Sequence, residues 1–166
     1  LNFFEELCDI KKLYPDISLA RGGVSLMGKG HFLNPHIDNS HDIKKDKWRV
    51  LNLLYYISPD WKENFGGNLE IWPNGLKKKQ ITIHSKFNRL VIMATHKKSW
   101  HSVSPITTDK NRACISNYYY SDNPLITSED SFHVTSFRGR PNQKIRNSIL
   151  KIDASLRQLL RKIKSY

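Results

Sequence analysis

The chain has 166 residues and a mass of 19.4 kDa, enough for one domain with a real core and short for two. Twenty-seven Lys and Arg against 15 Asp and Glu give a formal charge of +12, a balance that invites an anionic partner. Nine of those cations and a single acid, Asp153, lie between Val134 and Tyr166, so the excess is local and says little about the rest of the chain. No apolar run approaches the roughly 20 residues of a membrane span, and no signal-peptide pattern opens the chain. Cys8 and Cys114 lack CxxC spacing, which argues against a disulfide framework or a cysteine zinc site. The expectation is a soluble protein of the reducing cytoplasm.

In chain order, Phe3, Leu7, Ile10 and Tyr14 recur at four, three and four residues, predicting a helix packed on the core and closed by Pro15. From Val24 to about Ser121, short apolar runs alternate with turn signals such as Ser-Pro-Asp, Gly-Gly and Pro-Asn-Gly. The runs Val24–Met27, Val50–Ser58, Leu69–Trp72, Ile81–His84, Leu90–Ala94, His101–Ile106 and Ala113–Tyr120 read as strands. Seven or eight strands with no helix between them predict a sandwich or jelly-roll barrel. Beyond Pro124, Ile145, Ile149, Ile152, Leu156, Leu159 and Ile163 form an apolar stripe, predicting a basic helix over about 142–164 that packs its stripe on the sheet. The architecture is thus mainly β, a core over about 24–121 with flanking N- and C-terminal helices.

Within the core, His36-Ile37-Asp38 sets an imidazole and a carboxylate two residues apart, on one side of an extended backbone. With a third ligand from a distant strand, such a pair becomes a two-histidine-one-carboxylate facial triad, whose open positions suit non-haem Fe(II). The tripeptide alone is weak, since His41-Asp42 arises just as cheaply. His101 at the head of one late strand and Arg112 at the head of the next add to it. An arginine in a sandwich interior needs a partner, and a carboxylate gripped at both oxygens is the natural one.

Five ordered blocks, Gly30–Asn39, Arg49–Ser58, Gly66–Gly75, Lys86–Ile92 and the His101/Arg112 pair, resemble the prolyl 4-hydroxylase-like branch of the Fe(II)/2-oxoglutarate-dependent dioxygenases. The resemblance implies a single domain over 1–166 with a double-stranded β-helix core. It implies Fe(II) held by His36, Asp38 and His101, and 2-oxoglutarate held at its distal carboxylate by Arg112 with Tyr56. It also implies O2 as co-substrate, ascorbate as reductant, and hydroxylation of a C–H bond of a peptide or small molecule with release of succinate and CO2. Alternation puts Asn52, Leu54 and Tyr56 on one face and Leu51, Leu53 and Tyr55 on the other, but both faces are apolar and the pattern cannot choose between them. From Arg112, alternation brings Cys114, Ser116 and Tyr118 to the pocket side; Ser116 is assigned to the co-substrate, and Arg49 and Asn52 to the substrate.

Many relatives carry a tyrosine where this chain has Met27, which cannot donate a hydrogen bond. The loop Asn39–Trp48, with Lys44, Lys45 and Lys47, and the segment Trp61–Phe65 are candidate lids. Two other readings compete. A nucleobase demethylase would share the metal set but typically carries a second arginine six residues after the first, a position occupied here by Tyr118. A non-enzymatic β-sandwich could use its basic helix to bind nucleic acid or a membrane surface. Nucleic acid is not the expected partner, and oligomeric state is not legible.

Overall fold

A computed structural model describes residues 1–17, 22–126 and 131–163, with side chains as far as 160. Its elements in chain order are α1 (Asn2–Cys8), β1 (Tyr14–Pro15), β2 (Gly23–Met27), β3 (Leu33–Ile37), β4 (Trp48–Tyr56), a 3-10 turn (Glu63–Phe65), β5 (Leu69–Ile71), β6 (Ile81–Ile83), β7 (Arg89–Ala94), β8 (His101–Val103), β9 (Arg112–Ser121), β10 (Ser136–Phe137) and α2 (Lys144–Ile163). All seven predicted strands form. The additional ones, β1, β3 and β10, are short or contain proline, and periodicity has little to read in them.

Two antiparallel five-stranded sheets face each other. One runs β1-β9-β4-β7 with β2 also on β9; the other runs β10-β3-β8-β5-β6. This is the double-stranded β-helix that the strand pattern and the resemblance predict. β4 is buried on both faces, which is why alternation alone could not orient it. Its outer residues Leu51 and Leu53 pack with Ile10, Leu13 and Phe4, while Asn52, Leu54 and Tyr56 pair with Tyr118, Ser116 and Cys114 of β9 and share their face.

Irregularities in the ladders redirect two side chains. Between Arg49 and Leu51 the β4–β9 register shifts, so Val50 is an extra residue and Arg49 opposes Tyr120, on the inner face, rather than following Leu51 outward. Between Leu33 and His36 the β3–β8 register shifts as well. Pro35 sits in that stretch, where its missing N–H costs no ladder bond, and the shift leaves His36 directly opposite His101.

Both helices depart from expectation. α1 stops at Cys8 because Asp9 turns left-handed (φ 52°), and Ile10 and Leu13 continue into the core as extended chain. Phe3 and Leu7 of the predicted stripe face solvent, and the neighbouring Phe4 and Cys8 pack inward instead. α2 forms where predicted, but its stripe does not pack on the sheet: Ile145, Ile149, Ile152, Leu156 and Leu159 are all exposed. Polar anchoring decides the helix orientation. The Gln158 amide donates to Phe132 O and accepts from Val134 N–H, Arg157 donates to Thr135 O, and Gly139 N–H donates to Asn147 Oδ1.

The segment before α2 is tied down by a buried ion pair. Arg140 Nη2 lies 2.9 Å from Glu70 Oε2, which also accepts from Ser102 Oγ at 2.6 Å, and Arg140 donates to Val103 O. Removing one member of a buried pair strands the other. Arg140→Ala therefore lowers stability by about 3 kcal/mol, read as a fall in the denaturant midpoint, and Arg140→Met with Glu70→Leu recovers most of the loss.

Candidate metal centre

β3 and β8 carry His36 and His101 across one ladder rung, and Asp38 follows two residues after His36. All three are buried, and their ligand atoms lie within 4.8 Å of one another. His36 Nε2 is 3.9 Å from Asp38 Oδ1 and His101 Nε2 is 4.0 Å from Asp38 Oδ2. These gaps are too long for hydrogen bonds and of a size that one ion shared by all three would occupy. Both rings are held in the same way: His36 Nδ1–H donates to Asn34 O at 2.9 Å and His101 Nδ1–H to Ser99 O at 3.0 Å. A carbonyl can only accept, so each Nδ1 carries the proton and each Nε2 keeps its lone pair toward the cluster. Phe137 of β10 stacks on His36 at 4.7 Å, a neighbour that nothing in the sequence announces because β10 is two residues long.

Burial lowers the His36 pKa from 6.5 to about 4, with the nearby His101 adding to the effect and Asp38 opposing it. The imidazole is therefore neutral at pH 7 and needs to shed no proton to bind a cation. In the metal-free protein the unfolded chain takes up a proton on this group that the folded chain refuses between pH 6.5 and 4. Stability accordingly falls as pH drops through that window. Urea midpoints from pH 7 to 4 measure the fall, and His36→Gln flattens it.

Deeper in the sandwich lies Arg112, 4% exposed. Its Nη1 donates to Gly67 O at 3.0 Å and its Nη2 to the Met27 sulfur at 3.1 Å. Its Nε has no partner, and among the described residues no carboxylate pairs with it. Tyr56 is the member of the tyrosine pair that turns inward. Its ring is 5.5 Å from the Arg112 guanidinium and its hydroxyl is bonded with Ser85, whereas Tyr55 donates to Asn88 on the outer side. Burial pushes the Tyr56 pKa up to about 12 and that of Cys114 to about 11. The phenol keeps its proton as a donor, and the thiol is no nucleophile at neutral pH. A groove of about 510 Å3 lined by Ser25, Met27, His31, Phe32 and Leu33 reaches Arg112.

Gly66 and Gly67 shape this end of the site with positive φ, 74° and 66°. A Cβ on Gly67 would meet Arg112 Cδ at 2.9 Å, so Gly67→Ala displaces the guanidinium. Affinity for a carboxylate at Arg112 then falls by about tenfold while metal affinity holds, a split that titration of each component separately reports.

The other sequence assignments fall unevenly. Arg49 is buried beside the cluster, its Nη1 3.9 Å from Asp38 Oδ2 and its guanidinium 3.9 Å over the Tyr118 ring, with Nε and Nη2 unpartnered. Asn52 is buried, its Oδ1 likewise unpartnered. Ser116 instead bonds sideways to Gly23 O at 3.4 Å. Both candidate lids are anchored at their ends and exposed in their middles, at residues 43–46 and 62–64. Trp61 packs with Met27, Val103, Ile106 and Phe65 and donates to Gly66 O, which anchors that segment to the core, while Lys62, Glu63 and Asn64 are exposed. In the other loop, Asn39, Ser40 and His41 are buried, His41 bridges to Trp48, and Lys47 pairs with Asp122.

An antiparallel double sandwich with two histidines and one carboxylate around a common point, and a buried arginine without a carboxylate partner among the described residues deeper in, has the layout of a jelly-roll oxygenase built around one metal ion. The sequence profile of the 2OG-Fe(II) oxygenase superfamily matches residues 22–120, well over half of the chain, and the chain belongs to that superfamily. Its members use Fe(II), 2-oxoglutarate and O2. Among solved structures, the viral collagen prolyl hydroxylase of Paramecium bursaria Chlorella virus-1, in its 2-oxoglutarate complex, is similar at 15% identity and TM-score 0.53, over 72% of this chain and 69% of that one. A Burkholderia pseudomallei oxidoreductase of the 2OG-Fe(II) oxygenase family is similar at 14% identity and TM-score 0.51, over 72% and 49%. A Trichoplax adhaerens prolyl hydroxylase, in complex with a hypoxia-inducible-factor peptide fragment, is 29% identical with TM-score 0.49, over 60% of this chain and 42% of that one. The chain thus spans less than half of the Trichoplax protein. No curated protein matches the sequence.

The site fits the superfamily's cofactors on its own evidence. Asp38 Oδ2 is buried without a hydrogen-bond partner, as a metal-ligating oxygen would be, and Arg112 Nε is buried without one, as a guanidinium awaiting a carboxylate would be.

Proposed function

We propose that this chain is a 2-oxoglutarate-dependent Fe(II) hydroxylase acting on a C–H bond of a peptide, with a prolyl residue as the favoured target. The observation that carries the reaction class is the pairing of a preoriented His36–Asp38–His101 cluster with the buried Arg112, which no described carboxylate pairs. The five sequence blocks shared with the prolyl 4-hydroxylase-like branch support the target.

His36, Asp38 and His101 would hold the metal, their ligand atoms already lying within 4.8 Å of one another. Arg112, with Tyr56 as a hydroxyl donor, holds the distal carboxylate of 2-oxoglutarate. When bound, the iron and its co-substrates supply the oxidising chemistry: O2 and 2-oxoglutarate are consumed, one oxygen atom enters the substrate C–H bond, and succinate and CO2 leave. The protein's own part is orientation and exclusion of water by the buried core around Met27, Trp61 and Val103. Arg49, beside Asp38, and Asn52, on the same inner face, contact the substrate. The backbone around Ser116 borders the co-substrate end although its hydroxyl bonds to Gly23 O, and ascorbate serves as external reductant.

Succinate release in the presence of Fe(II) and ascorbate tests this reading. A proline-containing peptide is expected to raise the rate above the substrate-free background. Stimulation by methylated oligonucleotides and by no peptide would overturn the target in favour of a nucleobase demethylase, against which Tyr118 already argues.

A further inference from the structure

The outward face of α2 is the largest feature that the oxygenase reading leaves unused. At about 100° per residue, Ile145, Ile149, Ile152, Leu156 and Leu159 fall within roughly 80° of one another, and Leu160 extends the band. Ile145 is 81% exposed and the others between 54% and 63%. The face bound to the body, through Asn147, the buried Ala154 and Gln158, lies roughly 180° away on the same geometry. The helix is thus anchored by its polar side and presents its apolar side outward, the reverse of an ordinary surface helix.

Cations border the exposed band on both sides. Arg146 falls roughly 100° from its centre on one flank, where Arg157 is held by Thr135 O and Asp153, and Lys144 and Lys151 lie at a similar angle on the other. The only acid on the helix, Asp153, is paired with Arg157. No described helix is long and apolar enough to cross a membrane, so the face suits a surface and not a span. A second copy of this helix would set lysines and arginines against one another, and a nucleic acid would leave the isoleucines and leucines uncovered. A bilayer carrying anionic headgroups satisfies both halves at once, with side chains seated at the acyl boundary and ammonium and guanidinium groups reaching back to phosphates.

We propose that α2 docks in plane on a bilayer surface rich in anionic phospholipid. The β core is then held against the membrane through β10 and the Arg140–Glu70 tie, independently of what the metal centre oxidises.

Cosedimentation of the purified chain with vesicles of phosphatidylcholine containing about one third phosphatidylserine tests the proposal. Wild-type protein is expected to partition onto these vesicles at least about tenfold better than onto phosphatidylcholine alone, and added salt should weaken the binding. Ile149→Glu with Leu156→Glu, and separately Lys144→Glu with Lys151→Glu, each lower partitioning by about tenfold or more. All four positions point away from the body, so near-ultraviolet circular dichroism stays at the wild-type signal. No binding to anionic vesicles, binding that either double variant leaves unchanged, or equal binding to neutral vesicles overturns the proposal. So does sedimentation equilibrium showing a dimer that Ile149→Glu with Leu156→Glu dissociates while vesicles are ignored, which would assign the face to a second copy.

Discussion

Asp38→Asn lowers 2-oxoglutarate turnover by about three orders of magnitude or more, since losing the anionic ligand removes several kcal/mol of metal-centred stabilisation. The asparagine keeps the side-chain shape, so the fold survives and Fe(II) affinity, measured by anaerobic titration, falls in parallel. Both Asp38→Asn and Asp38→Ala do further damage for a separate reason. Arg49 Nη1 lies 3.9 Å from Asp38 Oδ2, and Arg49 is almost wholly buried. Without the carboxylate, that cation is left facing His36 and His101, and the metal-free protein loses stability on top of activity. Measuring Fe(II) affinity and metal-free stability in each variant separates what Asp38 does for the metal from what it does for Arg49.

Arg112→Met raises the 2-oxoglutarate concentration needed for half-saturation by about 10²-fold or more while leaving Fe(II) binding intact, because a buried two-point charge contact is lost. Arg112→Lys recovers little, since a lysine cannot reproduce the planar fork. The same substitution has the opposite sign in stability. In the co-substrate-free protein Arg112 is a buried cation with an unpartnered Nε, and replacing it with an apolar side chain of similar length is neutral or stabilising. Added 2-oxoglutarate raises the melting temperature of wild type by linkage and does not raise that of Arg112→Met. A variant more stable without co-substrate and blind to it marks a residue kept for binding and not for folding.

Much of the site could be read from residues alone, and the failures have identifiable causes. The two-residue repeat of extended chain makes His36-Ile37-Asp38 a possible ligand pair, but its choice over His41-Asp42, and the roles of His101 and Arg112, come from the resemblance of the five blocks. The choice between Tyr55 and Tyr56 was beyond periodicity because β4 is covered on both faces, outside by Ile10, Leu13 and Phe4 and inside by the opposite sheet. Arg49 would have been sent outward by simple alternation. It faces the metal cluster because an extra residue at Val50 reverses the parity, and a bulge leaves no mark in composition. Phe137 and the Glu70–Arg140 pair depend on contacts between distant segments and were invisible for that reason. The C-terminal stripe failed differently: its helix was right, but the rule that apolar faces turn inward lost to the hydrogen bonds of Asn147, Arg157 and Gln158.

One metal ion at His36, Asp38 and His101 is expected to bind together with 2-oxoglutarate at Arg112. Anaerobic addition of Fe(II) and 2-oxoglutarate, followed by visible absorption, tests both halves in one cuvette. The prediction is a weak metal-to-ligand charge-transfer band that is absent in His36→Ala and that appears in Arg112→Met only at much higher 2-oxoglutarate. A wild-type protein that binds Fe(II) without developing the band, or a band that His36→Ala leaves unchanged, would contradict it.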